Sequence, residues 1–77
     1  MSDKELFKII KKALGVKNIS EKTTSNNLPE WDSLGHLSIL SALDKATKGK
    51  VGKIAGLSDC YSVKKIKYLL KKNKLLN

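Results

Sequence analysis

Apolar residues recur at helical spacing in three stretches of this chain, and polar, turn-forming sequence separates them. In the first stretch Leu6, Ile9, Ile10, Ala13 and Leu14 share one face, with Phe7 beside them. Ser2 stands three residues before Glu5, the spacing of a capping box, and Gly15 is a natural terminator, so the pattern predicts a helix over residues 3–15. In the second, His36, Ile39, Leu40, Leu43 and Ala46 share one arc at about 100° per residue and are expected to face the core. Ser33, Leu34, Leu37, Ser41, Asp44, Lys45 and Lys48 fall on the opposite side. This helix is predicted from Ser33 to about Lys48, before Gly49, with Asp32 or Ser33 as its N-cap. The third stripe, Val63, Ile66, Leu69 and Leu70, predicts a helix over about residues 62–73 with Ser62 as its candidate N-cap.

The connections differ in character. Residues 16–31 hold Ser20, Thr23, Thr24, Ser25, Asn26, Asn27 and Pro29, a cluster of turn formers, yet also Val16, Ile19, Leu28 and Trp31, which are expected to pin a long loop across the bundle. Trp31 stands just before the N-cap, where a hydrophobic staple helps set the approach angle of the chain. Between Lys50 and Tyr61, Gly52 and Gly56 alternate with Ile54, Ala55 and Leu57, as in a loop carrying a short helical turn. No alternating strand pattern competes. The expected architecture is all-α: a single domain over residues 1–77, a small four-helix bundle of three main helices and one short one.

Length and composition narrow the function classes. A chain of 77 residues builds one small core and leaves little room for a catalytic cleft. Hydrophobic content of 40%, with 30% charged residues, suits a folded helical domain rather than a disordered tail. No apolar run reaches the roughly 20 residues needed to cross a bilayer, and the polar start Met1-Ser2-Asp3-Lys4-Glu5 does not read as a signal peptide. Cys60 has no intrachain disulfide partner and is expected to be a packing residue. These features favour a cytoplasmic monomer whose fold needs neither a disulfide nor a metal.

The net charge is +9, and all 16 basic residues are Lys. A basic helical module that binds nucleic acid or an anionic surface is therefore an alternative. The absence of Arg, whose planar fork grips phosphates and guanine edges, and the scatter of Lys over both ends of the chain weigh against it, and no nucleic acid is expected as a partner. Metal binding and hydrolysis fare no better. One His and one Cys far apart supply no ligand spacing. Ser33 and His36 lie three apart on a helix, but no Gly-rich oxyanion loop and no nucleophile elbow accompany them. His36 is better read as a partly buried helix residue.

What remains is Trp31-Asp32-Ser33-Leu34, which sets a hydroxyl at a helix start, where unpaired amides and the helix dipole favour negative charge. The segment Leu28-Pro29-Glu30-Trp31-Asp32-Ser33-Leu34-Gly35-His36-Leu37-Ser38-Ile39-Leu40-Ser41-Ala42-Leu43 resembles the acyl carrier proteins, particularly the stand-alone bacterial carriers outside primary fatty acid synthesis. Chain length, helix order, the long first loop and a late Ser-Val-Lys-Lys-Ile helix start extend the resemblance over nearly the whole chain. It implies a carrier rather than an enzyme. Ser33 would hold 4′-phosphopantetheine through a phosphodiester, and the arm's thiol would hold acyl or aminoacyl groups as thioesters. A phosphopantetheinyl transferase would recognise Asp32. Loading and transfer enzymes would touch Leu34 and Leu37, with Ser41, Asp44 and Lys45 completing the recognition face. Typical carriers are acidic, whereas this second helix has one carboxylate, Asp44, and places Ser38 and Lys45 where acids often stand. The departure implies dedicated partners with neutral or acidic docking faces, in a specialised fatty acid, polyketide, peptide, lipid or cell-surface pathway. A further possibility is a cofactor-free interaction bundle that docks through Leu34 and Leu37.

Overall fold

Ser2 opens the first helix as its spacing requires: its hydroxyl accepts from the Glu5 amide at 3.2 Å, and the Glu5 carboxylate reaches back to the Ser2 amide at 3.3 Å. In the computed structural model, which describes residues 1–77, this helix is α1 (Asp3–Leu14). It is followed by α2 (Ser33–Ala46) and α3 (Val63–Lys72), and two short 3-10 turns, Lys50–Lys53 and Leu57–Asp59, lie between α2 and α3. There is no β-strand; a single antiparallel bridge joins Thr24 to Ser62. No helix is long and apolar enough to cross a membrane.

The fold is therefore all-helical with three α-helices, and the expected short fourth helix is replaced by the two 3-10 turns. Gly49 and Gly56, each with φ near +85°, precede these turns. That left-handed geometry breaks the helical path twice within a few residues, so no α-helix can establish itself there.

The second helix is also shorter than its pattern suggests, ending at Ala46 rather than Lys48. Thr47 stops it: its hydroxyl donates to the Leu43 carbonyl at 2.8 Å and accepts from the Val51 amide at 3.3 Å, which turns the chain back across the helix end. Thr47 is buried in consequence, and Ala46, expected in the core, is exposed. All three helices close with the same pair of backbone bonds, a Schellman motif. In α1 the Val16 amide reaches Lys11 and Gly15 reaches Lys12; in α2 Gly49 reaches Asp44 and Lys48 reaches Lys45; in α3 Leu75 reaches Leu70 and Lys74 reaches Lys71. The residue that must turn left-handed is Gly15 in α1, but Lys48 (φ 55°) and Lys74 (φ 60°) in the other two.

The core takes Leu6, Ile10 and Leu14 from α1, Ile39 and Leu43 from α2, and Val63, Ile66 and Leu70 from α3, with Trp31, Val51, Leu57, Cys60 and Leu76 closing it. Val16, Ile19 and Leu28 pack against its edge, as expected for a pinned loop. That loop is built from side chains that satisfy its own backbone. Thr23 Oγ1 accepts from the Ser20 amide and Asn27 Oδ1 from the Thr24 amide, both at 2.9 Å. Backbone bonds from Ser25 to Tyr61 and from Val63 to Thr23 then fasten it to the start of α3. Lys67 adds a third fastening, with its ammonium bound to Glu21 of the loop and to Asp3 of α1 at 3.0 Å, over the face of Phe7. The Glu21 and then the Asp3 carboxylate hold this ammonium above the usual lysine range.

Candidate functional site

The N-terminus of α2 is set by Asp32, whose extended backbone and side chain make it the N-cap: Oδ1 accepts from the Gly35 amide at 2.8 Å. Behind this turn the chain crosses at close range. A Cβ at position 35 would lie 2.4 Å from the Glu30 carbonyl oxygen and 2.8 Å from a methyl of Leu14, so only glycine lets the loop and α1 press against the helix start. The first turn of α2 is thereby fixed against α1 although its outer surface is open.

Ser33 is the first residue of α2 and is exposed. Its hydroxyl makes no hydrogen bond within the protein, and the amides of Ser33 and Leu34 have no intramolecular acceptor. The first turn contains no acidic residue. A hydroxyl, two free N–H groups and the positive end of a helix dipole therefore share one exposed spot, which suits an attached phosphodiester. Leu34 and Leu37 flank it, 74% and 61% exposed, far more than any core aliphatic. Ser41, Asp44 and Lys45 continue the exposed surface of α2.

His36 takes no part in this surface. It is buried, with Nδ1 accepting the Trp31 indole N–H at 3.0 Å and Nε2 donating to the Leu57 carbonyl at 3.2 Å. An indole N–H can only donate and a carbonyl can only accept, so the proton sits on Nε2. Tyr61 stacks on the same ring at 4.2 Å between centroids. Both ring nitrogens are committed to structure and neither is free to draw the Ser33 proton. Trp31 and His36 occupy the positions before the N-cap and four into the helix, so the staple expected of Trp31 is present with a polar partner.

Cys60 is buried and its thiol lies 3.3 Å from the Gly56 carbonyl; burial pushes its pKa up, which disfavours the thiolate. Nowhere do three His, Cys, Asp or Glu side chains converge as a metal-ligand group.

Beside Leu37, α2 and the two 3-10 turns enclose an open groove of about 490 Å³. Leu37, Leu40, Val51, Ile54 and Leu57 supply its apolar wall, and Ser41, Asp44, Gly52 and Ser58 its polar part. The structure thus brings Asp32, Ser33, Leu34 and Leu37 together at one end of α2 and places Ser41 and Asp44 along the groove, while Lys45 faces a separate shallow depression between α1 and α2. The groove was not foreseen from the sequence, because it depends on how residues 50–59 fold back on α2. The Trp31 to His36 bond had a signal, the staple spacing, whereas the Lys67 ion pairs join residues distant in sequence and had none.

No family model, no curated protein and no solved structure matches this chain.

Proposed function

We propose that this protein is a carrier, with a 4′-phosphopantetheine arm attached to Ser33. The observation that supports it is the exposed hydroxyl of Ser33 above two unpaired amides at the positive end of α2, held on a helix start that Gly35 locks against α1. When bound, the arm supplies a thiol that holds acyl or aminoacyl groups as thioesters. The protein supplies the rest: a fixed point of attachment, a docking surface and shelter in the neighbouring groove.

Attachment is a phosphoryl transfer from coenzyme A. The Ser33 oxygen bonds to the phosphorus nearer the pantetheine as the pyrophosphate P–O bond breaks, adenosine 3′,5′-bisphosphate leaves, and the hydroxyl proton passes to a base of the transferase. His36, with both ring nitrogens engaged, does not serve as that base. Asp32 marks the site for the transferase, and Leu34 and Leu37 form the apolar contact for loading and transfer enzymes, with Ser41, Asp44 and Lys45 around them. At a net charge of +9, the protein suits partners whose docking faces are neutral or acidic, in a specialised biosynthetic pathway. The carrier works without catalysing a reaction itself.

The decisive experiment is intact-mass measurement after incubation with coenzyme A and a broad-specificity phosphopantetheinyl transferase. The expected result is one phosphopantetheinyl increment in the native chain and none in Ser33→Ala. No increment in the native chain, or an undiminished one in Ser33→Ala, refutes the assignment.

A further inference from the structure

Asp44 lies eleven residues beyond Ser33 on α2, which is about three turns and roughly 16 Å along the axis, so both project from nearly the same face. Leu37 and Leu40, one and two turns along, line the groove between them. Asp44 lines the far end of that groove and is the single carboxylate of α2. It is also unclaimed. In a chain with 16 lysines, both ion pairs are made by Lys67, and no lysine reaches the Asp44 carboxylate. A Cβ at Gly49 or Gly52 would stand 4.0 or 3.9 Å from its Oδ1, so these two positions set no side chain against it.

Resting on the carrier reading above, we infer that the cargo is an aminoacyl group and that Asp44 receives its ammonium. A phosphopantetheine arm has about 14 bonds in its main path, and at the advance of an extended peptide, about 1.2 Å per bond, it spans about 17 Å. That length matches the distance from Ser33 to Asp44 along the helix. A simple acyl chain would leave the carboxylate facing hydrocarbon, which carries a desolvation cost with no return. An aminoacyl group places its positive charge where the groove has its one negative charge, and its short side chain against Ile54 and Leu57. Lys45 within the helix and Lys48 and Lys50 just beyond it repel a cationic cargo, and Asp44 is the one carboxylate of α2 that attracts it.

The test uses two coenzyme A derivatives that carry the cargo through a stable amide, one alanyl and one propionyl, each installed on the native chain by the transferase. Mass spectrometry reports attachment, and the Asp44 carboxyl carbon and the Leu37 and Leu40 methyl resonances report position. With alanyl, the Asp44 carboxyl resonance moves relative to the propionyl form. In Asp44→Asn, which is exposed and makes no side-chain hydrogen bond, the two cargoes give the same methyl shifts, and Asp44→Glu restores the difference. Attachment with no difference between alanyl and propionyl in the native chain overturns the aminoacyl inference and leaves the carrier standing. Failure of attachment at Ser33 overturns the carrier itself.

Discussion

Trp31 and His36 are joined by a hydrogen bond of 3.0 Å from the indole nitrogen to Nδ1, inside a protein that has one residue of each kind. The other ring nitrogen of His36 binds the Leu57 carbonyl, so a single imidazole ties the long loop, α2 and the second 3-10 turn together just behind the Ser33 end of the helix. Every buried side-chain polar atom in the protein has a partner.

Replacing Trp31 with Phe keeps an aromatic ring in the core but strips His36 Nδ1 of its donor. A buried acceptor left unpaired costs about 1–3 kcal/mol, and the lost indole contacts add to it. A lowered urea midpoint with an unchanged slope is the expected reading; a midpoint equal to that of the native chain would show that the bond contributes nothing net.

Gly35→Ala meets a backbone carbonyl at 2.4 Å, which cannot rotate away as a side chain can. The helix start must shift from the loop, and a loss of about 2 kcal/mol or more is expected, in the upper range for overpacking. Asp32→Ala, which removes only the cap, should cost about 1 kcal/mol. Chemical denaturation of the two variants side by side checks the order: Gly35→Ala worse than Asp32→Ala.

Lys48→Gly and Lys74→Gly should each stabilise the protein. A side chain in the left-handed region costs about 1–2 kcal/mol, against the 0.5–1 kcal/mol by which glycine loosens the unfolded chain, which leaves a gain of roughly 0.5–1 kcal/mol at each site. Thermal melts of the single variants measure it directly, and Lys48→Ala, which keeps the Cβ, should show no comparable gain.

Stability should fall on the alkaline side. Cys60 and Lys67 both hold their protons more tightly when folded, Cys60 through burial and Lys67 through Glu21 and Asp3, relative to ordinary values of 9.0 and 10.5. As pH rises the unfolded chain releases these protons first, the native state then binds more protons, and unfolding is favoured from about pH 9 upward. Lys67→Met should flatten the part of the decline above pH 10.5. For the same reason alkylation of Cys60 at pH 8 should be slow in the folded protein and fast in urea.

The helices were legible because their apolar spacing and their caps agree: Ser2 with Glu5, Asp32 with Gly35, and Ser62 with Lys65 all cap as local sequence suggests. The exposed position of Ser33 beside Leu34 and Leu37 followed from the same periodicity. What escaped was tertiary. Thr47 ends α2 through a bond to Val51 that no spacing announces, and it takes the buried place that the periodicity gives to Ala46. The left-handed turns at Lys48 and Lys74 carry no glycine to mark them. The groove beside Leu37 arises only when the 3-10 turns fold over α2.

The lone indole of this chain is hydrogen-bonded, buried and two residues from Ser33. Its fluorescence is therefore a local gauge of the attachment point rather than an average over the molecule. Any enzyme that pries the helix start from the loop while handling Ser33 would change that emission, so docking and chemistry could be timed separately on the unlabelled protein.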